Sequence, residues 1–400
     1  MNDSANFSLK KFFIGNATYA FFNVSLIVLL LVPFLRSKGY DKLQLSSIIS
    51  VKELSTFICM YIGGILFDKF GPRKAFLCGR ILDIISLILL LSNNNTIIIM
   101  SIILIGVSYG IMFGKYTSYI YNTLSVKGEL KWYARFASGY YFSWDITISA
   151  IGLFASLLLK TYGFNLLIYI SIIFKICSII CIFIFIPSNK NKFYNFESFQ
   201  SRTIKDIVLS ILDCVKSGKI FIDFVLFYGL LNFITWDLSV KIGDMFFIDL
   251  GWKPSSIASY TSILSIFMAI GTAIPMIFLP QGISIKKCLV LNLIETIILL
   301  ISSIIYNDKM FLFSFFLICF TFSLIEVSVE KKFEYVSNKK VRGSVISIAI
   351  SIGTLITILC TMLVGVVSKF SSYHISSIVL SIIMLLFSLY LFFSIKNKNI

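Results

Sequence analysis

The chain has 400 residues, of which 58% are hydrophobic and only 14% are charged. A soluble domain carries about 25% charged residues, so this composition excludes an ordinary soluble protein and places most of the chain in lipid. The net charge is +16. The basic residues lie in short connections between apolar runs, a distribution that indicates membrane topology and excludes a nucleic-acid-binding module.

Twelve apolar runs follow one another along the chain, and most are long enough to cross a bilayer as a helix of about 20 residues. The runs are 12–35, 45–67, 75–92, 96–121, 136–159, 164–186, 220–242, 255–279, 288–306, 310–330, 343–367 and 375–395. The sequence therefore predicts an all-α membrane protein with twelve transmembrane helices, here called spans 1 to 12.

The basic residues in the connections predict the orientation. Connections on the side of the N-terminus hold 23 lysines and arginines, whereas those on the other side hold seven. Because cytoplasmic connections carry the excess of positive charge, we expect a cell-membrane protein with both termini in the cytoplasm. In a bacterium with two membranes this would be the inner membrane.

A long polar connection divides the chain at its midpoint. We predict an N-terminal six-helix bundle at 1–187, a cytoplasmic linker at 188–219 and a C-terminal six-helix bundle at 220–400. Apolar residues at helical spacing between 204 and 215 predict an amphipathic helix on the membrane surface within the linker.

The two halves also share short sequences at equivalent places. Residues 19–23 read YAFFN and residues 228–232 read YGLLN, 209 residues later. Arg135 precedes span 5 and Arg342 precedes span 11, 207 residues later. The similar offsets indicate an internal duplication, and parallel six-span repeats around a midplane site are a known plan for transporters.

The connection between spans 2 and 3 contains a recognisable motif, GGILFDKFGPRKAFL at 63–77. Its pattern is Gly, three residues, Asp, a basic residue, one residue, Gly and then basic residues. The matching positions are Gly64, Asp68, Lys69, Gly71, Arg73 and Lys74. This loop resembles the signature loop of the major facilitator superfamily. The matching loop between spans 8 and 9 keeps only Lys286 and Lys287.

The residues of this loop suit the part that the resemblance implies, a conformational latch between the halves rather than a substrate site. Gly64 permits close helix packing, and Gly71 permits a sharp turn. Asp68 is placed to accept hydrogen bonds at a helix N-terminus, while Arg73 and Lys74 interact with anionic lipid.

The resemblance also implies two pseudo-symmetric six-helix bundles. Spans 1, 4, 7 and 10 would line a central cavity, spans 2, 5, 8 and 11 would flank it, and the others would lie outside. Proton-coupled drug antiporters of the family carry an arginine in span 4, where this chain has Ile102 four residues before Gly106. They also carry a Gly-Pro motif in span 5, where this chain has Gly139 and Gly152 but no proline.

Ionisable groups deep in the spans are the first candidates for function, because each is costly in lipid unless it is paired or faces water. From the cavity-lining and flanking spans we select Asp145, Asp237, Lys115 and Glu326, together with the polar residues Tyr19, Asn23, Tyr228 and Asn232. Lys175 and Glu295 lie on the outer spans 6 and 9, where a structural role is more common.

Asp145 leaves two interpretations open. It is the only charge between Phe136 and Leu159 and lies near the middle of the bilayer. A buried pair with Lys175 would lower the cost of both charges and make the acid structural. An unpaired Asp145 would instead be suited to binding and releasing a proton during transport.

These features predict a secondary active transporter that moves a small organic solute by alternating access, with coupling to protons. Aromatic and acidic spans favour an exporter or antiporter slightly, whereas the missing antiporter motifs favour proton-coupled uptake of a nutrient. A membrane enzyme or a receptor without flux is the alternative from another class, although the sequence contains no catalytic constellation. We expect a single-chain protein in the lipid bilayer without a cofactor, a metal or a nucleic-acid partner.

Overall fold

The computed structural model describes residues 8–186, 219–278, 283–336 and 342–396, and no strand occurs within these ranges. The linker helix predicted between 204 and 215 lies outside the described residues. We number the α-helices in chain order. They are α1 Leu9–Phe22, α2 Leu26–Leu29, α3 Leu31–Ser37, α4 Lys42–Phe70, α5 Pro72–Leu90, α6 Asn95–Met112, α7 Lys115–Val126, α8 Tyr133–Phe185, α9 Lys219–Asn232, α10 Gly243–Asp249, α11 Pro254–Ile277, α12 Ile285–Ile305, α13 Asp308–Val336, α14 Arg342–Phe370 and α15 Tyr373–Lys396.

Nine segments of the described chain are long and apolar enough to cross a membrane. One of them, Leu130–Phe185, is 56 residues long and contains both predicted spans 5 and 6. Span 3 corresponds to the charged helix α5, and span 1 is divided among three short helices, so neither is among the nine. The membrane-spanning character and the all-helical fold are confirmed, whereas the count of twelve is confirmed only in part.

Spans 5 and 6 are joined without a loop at Gly163. Its φ of +68° and ψ of −167° interrupt the helical geometry inside α8. A residue with a side chain rarely adopts a positive φ, so glycine allows the chain to reverse between two helices. The prediction of two spans here therefore stands, although the helical hydrogen bonding continues on both sides of the turn.

Span 1 is not the continuous helix that its hydropathy predicts. Regular helix ends at Phe22, resumes at Leu26 and is interrupted again at Leu30. Pro33 lacks an N–H group and its ring would clash with the carbonyl of Leu29, which explains the second interruption. At the first interruption, Ser171 Oγ accepts the hydrogen bond of the Leu26 N–H group at 3.1 Å.

Span 4 is also divided, because α6 ends at Met112 and α7 begins at Lys115. Gly114 between them has a φ of +71°. The Lys115 ammonium group donates to the carbonyl oxygens of Gly110 at 3.0 Å and Phe113 at 3.2 Å. The lysine thus satisfies backbone acceptors released by the interruption, which unpaired would be costly in lipid.

Span 7 changes from α-helix to a π-helix at Phe233–Ile242. The change follows directly after Asn232, the last residue of the repeated YGLLN sequence. In the first half, regular helix stops next to Asn23, the last residue of YAFFN. Both copies of the repeated sequence therefore end where a helix becomes irregular, and irregular helical segments in membranes occur where they line cavities.

We call residues 8–186 the N-terminal half and residues 219–396 the C-terminal half. Most of the contact between them is made by two helix pairs, α4 with α14 and α8 with α11. Small residues permit the close approach, since any side chain at Gly152 of α8 would meet Ser262 of α11. We call the end of the bundle near the start of α1 the termini end. Phe13 of α1 packs there against Gly139 and Phe136 of α8.

Candidate functional site

A cavity of about 150 Å³ lies between the two halves. Nine aromatic side chains line it, together with polar and charged groups from both halves. The charged lining residues are Lys52, Arg80, Asp83, Lys175, Lys241 and Glu326. An apolar, largely aromatic wall with a few converging polar groups is the usual construction of a small-molecule site.

The first set of charges in this wall is the cation cluster, which we define as Arg80, Asp83 and Lys175. Arg80 Nη1 lies 3.0 Å from Asp83 Oδ2, and Lys175 Nζ lies 3.1 Å from the same oxygen. Arg80 is 2% exposed, Lys175 3% and Asp83 5%. One carboxylate therefore serves two cations, and the cluster carries a net charge of +1 in a buried position.

The interruption of span 1 brings Lys175 into this cluster. Lys175 Nζ donates to the Asn23 carbonyl oxygen at 2.6 Å, an acceptor available where α1 ends. The Asn23 side chain donates to the Tyr140 hydroxyl at 3.1 Å. Arg80 Nη2 donates to the Tyr19 hydroxyl at 3.1 Å. Span 6 therefore contributes to the cavity, although the resemblance placed it outside the lining, because its lysine reaches the gap in span 1.

The second set is the acid cluster, which we define as Asp145, Glu326 and Glu330. Glu330 Oε1 accepts hydrogen bonds from the hydroxyls of Tyr228 at 2.6 Å and Tyr141 at 2.9 Å. Glu330 Oε2 is buried and finds no hydrogen-bond partner in the part of the chain that the structure describes. Glu326 lines the cavity one helical turn away on α13, and both glutamates are 5% exposed.

Asp145 lies behind the aromatic wall of the cavity, on α8. It is 2% exposed and close enough to Glu326 and Cys319 for electrostatic interaction. Lys175 bonds to Asp83 instead, and within the described ranges no ion pair joins Lys175 or any other cation to Asp145. The interpretation of Asp145 as half of a structural ion pair with Lys175 therefore lacks its contact in the described ranges.

A third set joins the halves on the side away from the termini end, and we call it the bridging cluster: Lys52, Glu53, Asp237 and Lys241. Glu53 Oε1 lies 2.6 Å from Lys52 Nζ and 2.7 Å from Lys241 Nζ. Lys241 also pairs with Asp237, which accepts a hydrogen bond from Thr357. The four charges balance, and they link span 2 of one half to spans 7 and 11 of the other.

Three further predicted site residues have local partners. Lys115 caps backbone carbonyls as described above, and Glu295 accepts a hydrogen bond from Thr321 away from the cavity. Asn232 lines the cavity, and its side-chain nitrogen donates to the Tyr228 carbonyl at 2.9 Å. Among the described residues no group of three or more His, Cys, Asp or Glu side chains is arranged to hold a metal ion.

The predicted latch loop lies between α4 and α5. Gly71 ends α4 with a φ of +84°, and Pro72 begins α5 directly after it. The Arg73 guanidinium lies 4.7 Å from the centre of the Phe183 ring, Lys69 lies over Phe70, and Lys74 is exposed. The close packing predicted for Gly64 is made by its neighbour Gly63, which contacts the backbone of Gly110 and Ile111.

The sequence-based selection missed six charged residues that the structure brings to the cavity region: Lys52, Glu53 and Lys241 of the bridging cluster, and Arg80, Asp83 and Glu330. A signal for the last three was present in the spacing. Arg80 and Asp83 are three residues apart on α5, and Glu326 and Glu330 are four apart on α13, so each pair shares one helix face. Two ionisable groups on one face of an apolar helix indicate a shared environment, which a ranking by span number alone does not detect.

The comparisons with known proteins concern the family and the fold of the chain. The family model of the Major Facilitator Superfamily matches residues 12–329. The human organic anion transporter MFSD10 (TETRAN) is similar with a TM-score of 0.70 at 13% identity, covering 96% of this chain and 98% of the other. The proton:xylose symporter XylE bound to 6-bromo-6-deoxy-D-glucose has a TM-score of 0.69 at 12% identity, covering 96% and 94%.

No curated protein sequence matches the chain significantly. The identities to the two solved structures are too low to carry over a substrate, so those likenesses concern the fold. The family match extends over most of the chain and includes the latch loop together with the segments that line the cavity. The chain is a membrane transporter that belongs to the major facilitator superfamily.

Proposed function

We propose that this chain is a secondary active transporter that couples the movement of a small organic solute to protons by alternating access. The observation that carries the proposal is the cavity between the halves, which is lined from both sides and has charged clusters in or beside its wall. In this proposal the two six-helix bundles rock about the cavity as units, as in other transporters built from repeats. The protein would act as a single chain with both termini in the cytoplasm.

The two clusters beside the cavity suit different tasks. All members of the cation cluster belong to the N-terminal half, so rocking would carry them together and leave their contacts unchanged. The acid cluster is divided, because Tyr141 of the N-terminal half bonds to Glu330 of the C-terminal half at 2.9 Å. Rocking would change the surroundings of these carboxylates, so their proton affinity would depend on the conformation.

Proton binding at the acid cluster is supported by its neighbours. Within the described ranges, the ionisable neighbours of Glu326 and Glu330 include three tyrosines and one acid: Tyr109, Tyr141, Tyr228 and Asp145. Neighbours that are neutral or acidic disfavour the ionised carboxylate, as does burial. A proton on one of the carboxylates would remove most of the cost of burying them.

The bridging cluster is proposed to close the cavity on the side away from the termini end. Its four balanced charges connect the halves, and opening on that side would separate Glu53 from Lys241, now 2.7 Å apart. Lys42 and Asp249 form a further contact between the halves, also 2.7 Å long and more exposed. Opening would therefore exchange ion pairs for contacts with water, at a net cost of only a few kcal/mol for well-paired groups.

Two couplings are compatible with these sites. Antiport, which the aromatic and acidic spans favour, requires the solute to compete with protons for the carboxylates. Symport requires the solute to bind elsewhere while the carboxylates are protonated. The cation cluster, with its net charge of +1 outside the acid cluster, offers such a separate position, so symport fits the charges of the cavity better.

Transport in proteoliposomes tests the proposal. A panel of radiolabelled amino acids, sugars, organic acids and drugs would be screened by counterflow, and active solutes would then be driven by pH gradients of either direction. Counterflow separates a transporter from a receptor, which would bind without flux. Uptake with the proton gradient indicates symport, whereas uptake against it indicates antiport.

Glu326→Gln tests the coupling site, because it removes a carboxylate from the cavity wall while keeping the side-chain shape. We expect proton-driven accumulation to be lost and solute counterflow to be largely kept. Glu295→Gln is the matched control, since Glu295 is buried to a similar extent, hydrogen-bonds to Thr321 and lies away from the cavity. Full proton-driven accumulation by Glu326→Gln would contradict the proposed role.

A further inference from the structure

The cation cluster contains one more positive charge than negative charge, and it is buried. Arg80 and Lys175 share Asp83 Oδ2 at 3.0 and 3.1 Å. Their other partners are neutral oxygens of Tyr19 and Asn23. Arg80 Nε has no hydrogen-bond partner in the described ranges and is shielded from solvent. An unbalanced buried cation is expensive unless an anion completes the site.

Among the described charged residues that line the cavity, the excess positive charge lies at the cation cluster. Lys52 and Lys241 also line the cavity, but Glu53 and Asp237 balance them. The other charged lining residue is Glu326, on the C-terminal half. A solute in the cavity therefore meets positive potential beside Arg80 and Lys175, and the low-polarity surroundings make the attraction of an anion stronger than it would be in water.

The rest of the cavity wall indicates the shape and polarity of the uncharged part of the solute. Tyr19, Tyr116 and Tyr140 stack in sequence, with ring centres 4.5 Å apart in both contacts. Six further aromatic side chains complete the lining. A volume of about 150 Å³ corresponds to an apolar cavity that holds one benzene-sized ring. The wall thus suits a flat apolar ring.

We infer that the solute is an aromatic monocarboxylate whose carboxylate binds between Arg80 and Lys175 while its ring contacts the tyrosine stack. The inference rests on the proposed function, because it takes the bound molecule to be the transported solute. The binding site itself can be tested without transport. Arg80 and Lys175 supply the positive charge, and Lys175 Nζ, which already donates to Asp83 and to the Asn23 carbonyl, keeps a third hydrogen for the incoming carboxylate. Hydrogen bonds between ionised groups are about twice as strong as neutral ones.

The same geometry predicts the coupling. A bound carboxylate brings negative charge into a cavity that Glu326 also lines. Repulsion between the two raises the proton affinity of the acid cluster, and a bound proton in turn favours the anion. Anion and proton would therefore enter together, which makes the transporter a symporter.

Binding is measured with three probes that share one ring and differ in charge, namely benzoate, benzamide and benzylamine. Isothermal titration calorimetry on the purified full-length protein at constant pH gives the three dissociation constants. We expect benzoate to bind at least about 10-fold more tightly than benzamide, because the neutral amide lacks the charge-assisted hydrogen bonds. We expect benzylamine to bind most weakly, because the cluster repels a cation.

Lys175→Gln locates the site. The Arg80–Asp83 pair remains and is neutral, so this variant is expected to fold. The preference for benzoate over benzamide should fall to within about threefold, whereas Lys160→Gln at the exposed end of span 5 should keep the wild-type preference. Equal binding of benzoate and benzamide by the wild type, or an unchanged preference in Lys175→Gln, would overturn the inference.

Transport of the same probes separates this inference from the proposed function. Specific benzoate binding without counterflow of any probe or panel solute leaves the anion site standing and contradicts the transporter. Counterflow of neutral or cationic solutes, without benzoate binding or competition by benzoate, leaves the transporter standing and contradicts the anion site.

Discussion

The cation cluster and the acid cluster lie beside the same cavity and differ in charge and in the way they are held. Arg80, Asp83 and Lys175 all come from the N-terminal half and bind one another through ion pairs. Glu326 and Glu330 come from the C-terminal half, and their neighbours in the described part of the chain include Tyr141, Tyr228 and Asp145. The cation cluster is held together within one half, whereas the acid cluster depends on contacts made across the interface between the halves.

One tyrosine of each repeated sequence contacts one of the two clusters. Tyr19 and Tyr228 occupy equivalent positions in the two copies of the repeated sequence, and both line the cavity. The Tyr19 hydroxyl accepts from Arg80, whereas the Tyr228 hydroxyl donates to Glu330. A hydroxyl can serve either charge, because it is both donor and acceptor. Duplicated halves can thus keep one scaffold and acquire sites of opposite charge.

The largest expected effect is that of Asp83→Asn. The substitution keeps the shape of the side chain but leaves Arg80 and Lys175 buried without a counter-charge. Breaking a buried ion pair in this way costs about 3–5 kcal/mol. The free energy of unfolding, measured in detergent by chemical denaturation, should fall by that amount.

The double variant Asp83→Asn with Lys175→Met is the control for this prediction. It removes one of the two unbalanced cations and should recover a large part of the lost free energy. A single variant as stable as the wild type would contradict the account of the cation cluster as a set of mutually dependent charges.

The paired substitutions Tyr19→Phe and Tyr228→Phe should separate the two clusters functionally. Each removes a hydrogen bond to an ionisable group and is expected to cost about 1.5–3 kcal/mol of stability. Tyr19→Phe should weaken solute binding while the proton-to-solute ratio stays unchanged. Tyr228→Phe should alter that ratio and leave the solute affinity unchanged at saturating proton concentration. If both variants shift the same parameter, the clusters do not have separate tasks.

Glu330→Gln is the counterpart of Asp83→Asn in the other cluster, because it too replaces a carboxylate by its amide. Oε1 remains as an acceptor for Tyr141 and Tyr228, and among the described residues no ion pair to Glu330 is lost. The free energy of unfolding should therefore stay the same or rise by about 1 kcal/mol, since a costly buried charge is removed. A loss as large as that of Asp83→Asn would show that Glu330 is held by an ion pair.

The smallest effect is expected for Lys42→Ala, which removes an ion pair near the solvent. Lys42 lies 2.7 Å from Asp249, with 43% and 27% of the two side chains exposed. Exposed pairs contribute about 0–1 kcal/mol, so the free energy of unfolding should change by less than about 1 kcal/mol. A larger change would mean that the exposed Lys42–Asp249 pair contributes as much to stability as the buried clusters do.

Much of the architecture was predictable from the sequence, because a helix in lipid satisfies its own backbone hydrogen bonds. Local hydropathy was therefore enough to find most of the spans, including those on either side of Gly163. The turn between α4 and α5 was predictable because glycine at position 71 permits the positive φ found there. The interruption of span 1 between Asn23 and Ser25 was not predictable, because residues distant in sequence stabilise it. Lys175 donates to the Asn23 carbonyl, and Ser171 accepts from the Leu26 N–H group.

The candidate site was predictable only in its parts. Asp145, Glu326 and Lys175 stood out because charges in lipid are rare. Their partners did not, since Asp83 meets Lys175 and Tyr228 meets Glu330 across roughly one hundred residues of sequence. Because Asp145 and Lys175 lie on consecutive spans, the sequence suggested that they pair. In the structure Lys175 lies on the helix face that contacts Asp83.

The amino-acid sequence alone was sufficient for the membrane environment, the helical character, the turn at Gly71 and part of the set of ionisable residues that needed explanation. Each of these follows from the composition and spacing of one segment and its own backbone hydrogen bonding. The charge balance of the clusters, the division of the acid cluster between the halves and the aromatic wall of the cavity depend on which helix faces meet. Packing between distant segments sets those contacts, so only the assembled bundle distinguishes a site with excess positive charge from a balanced one.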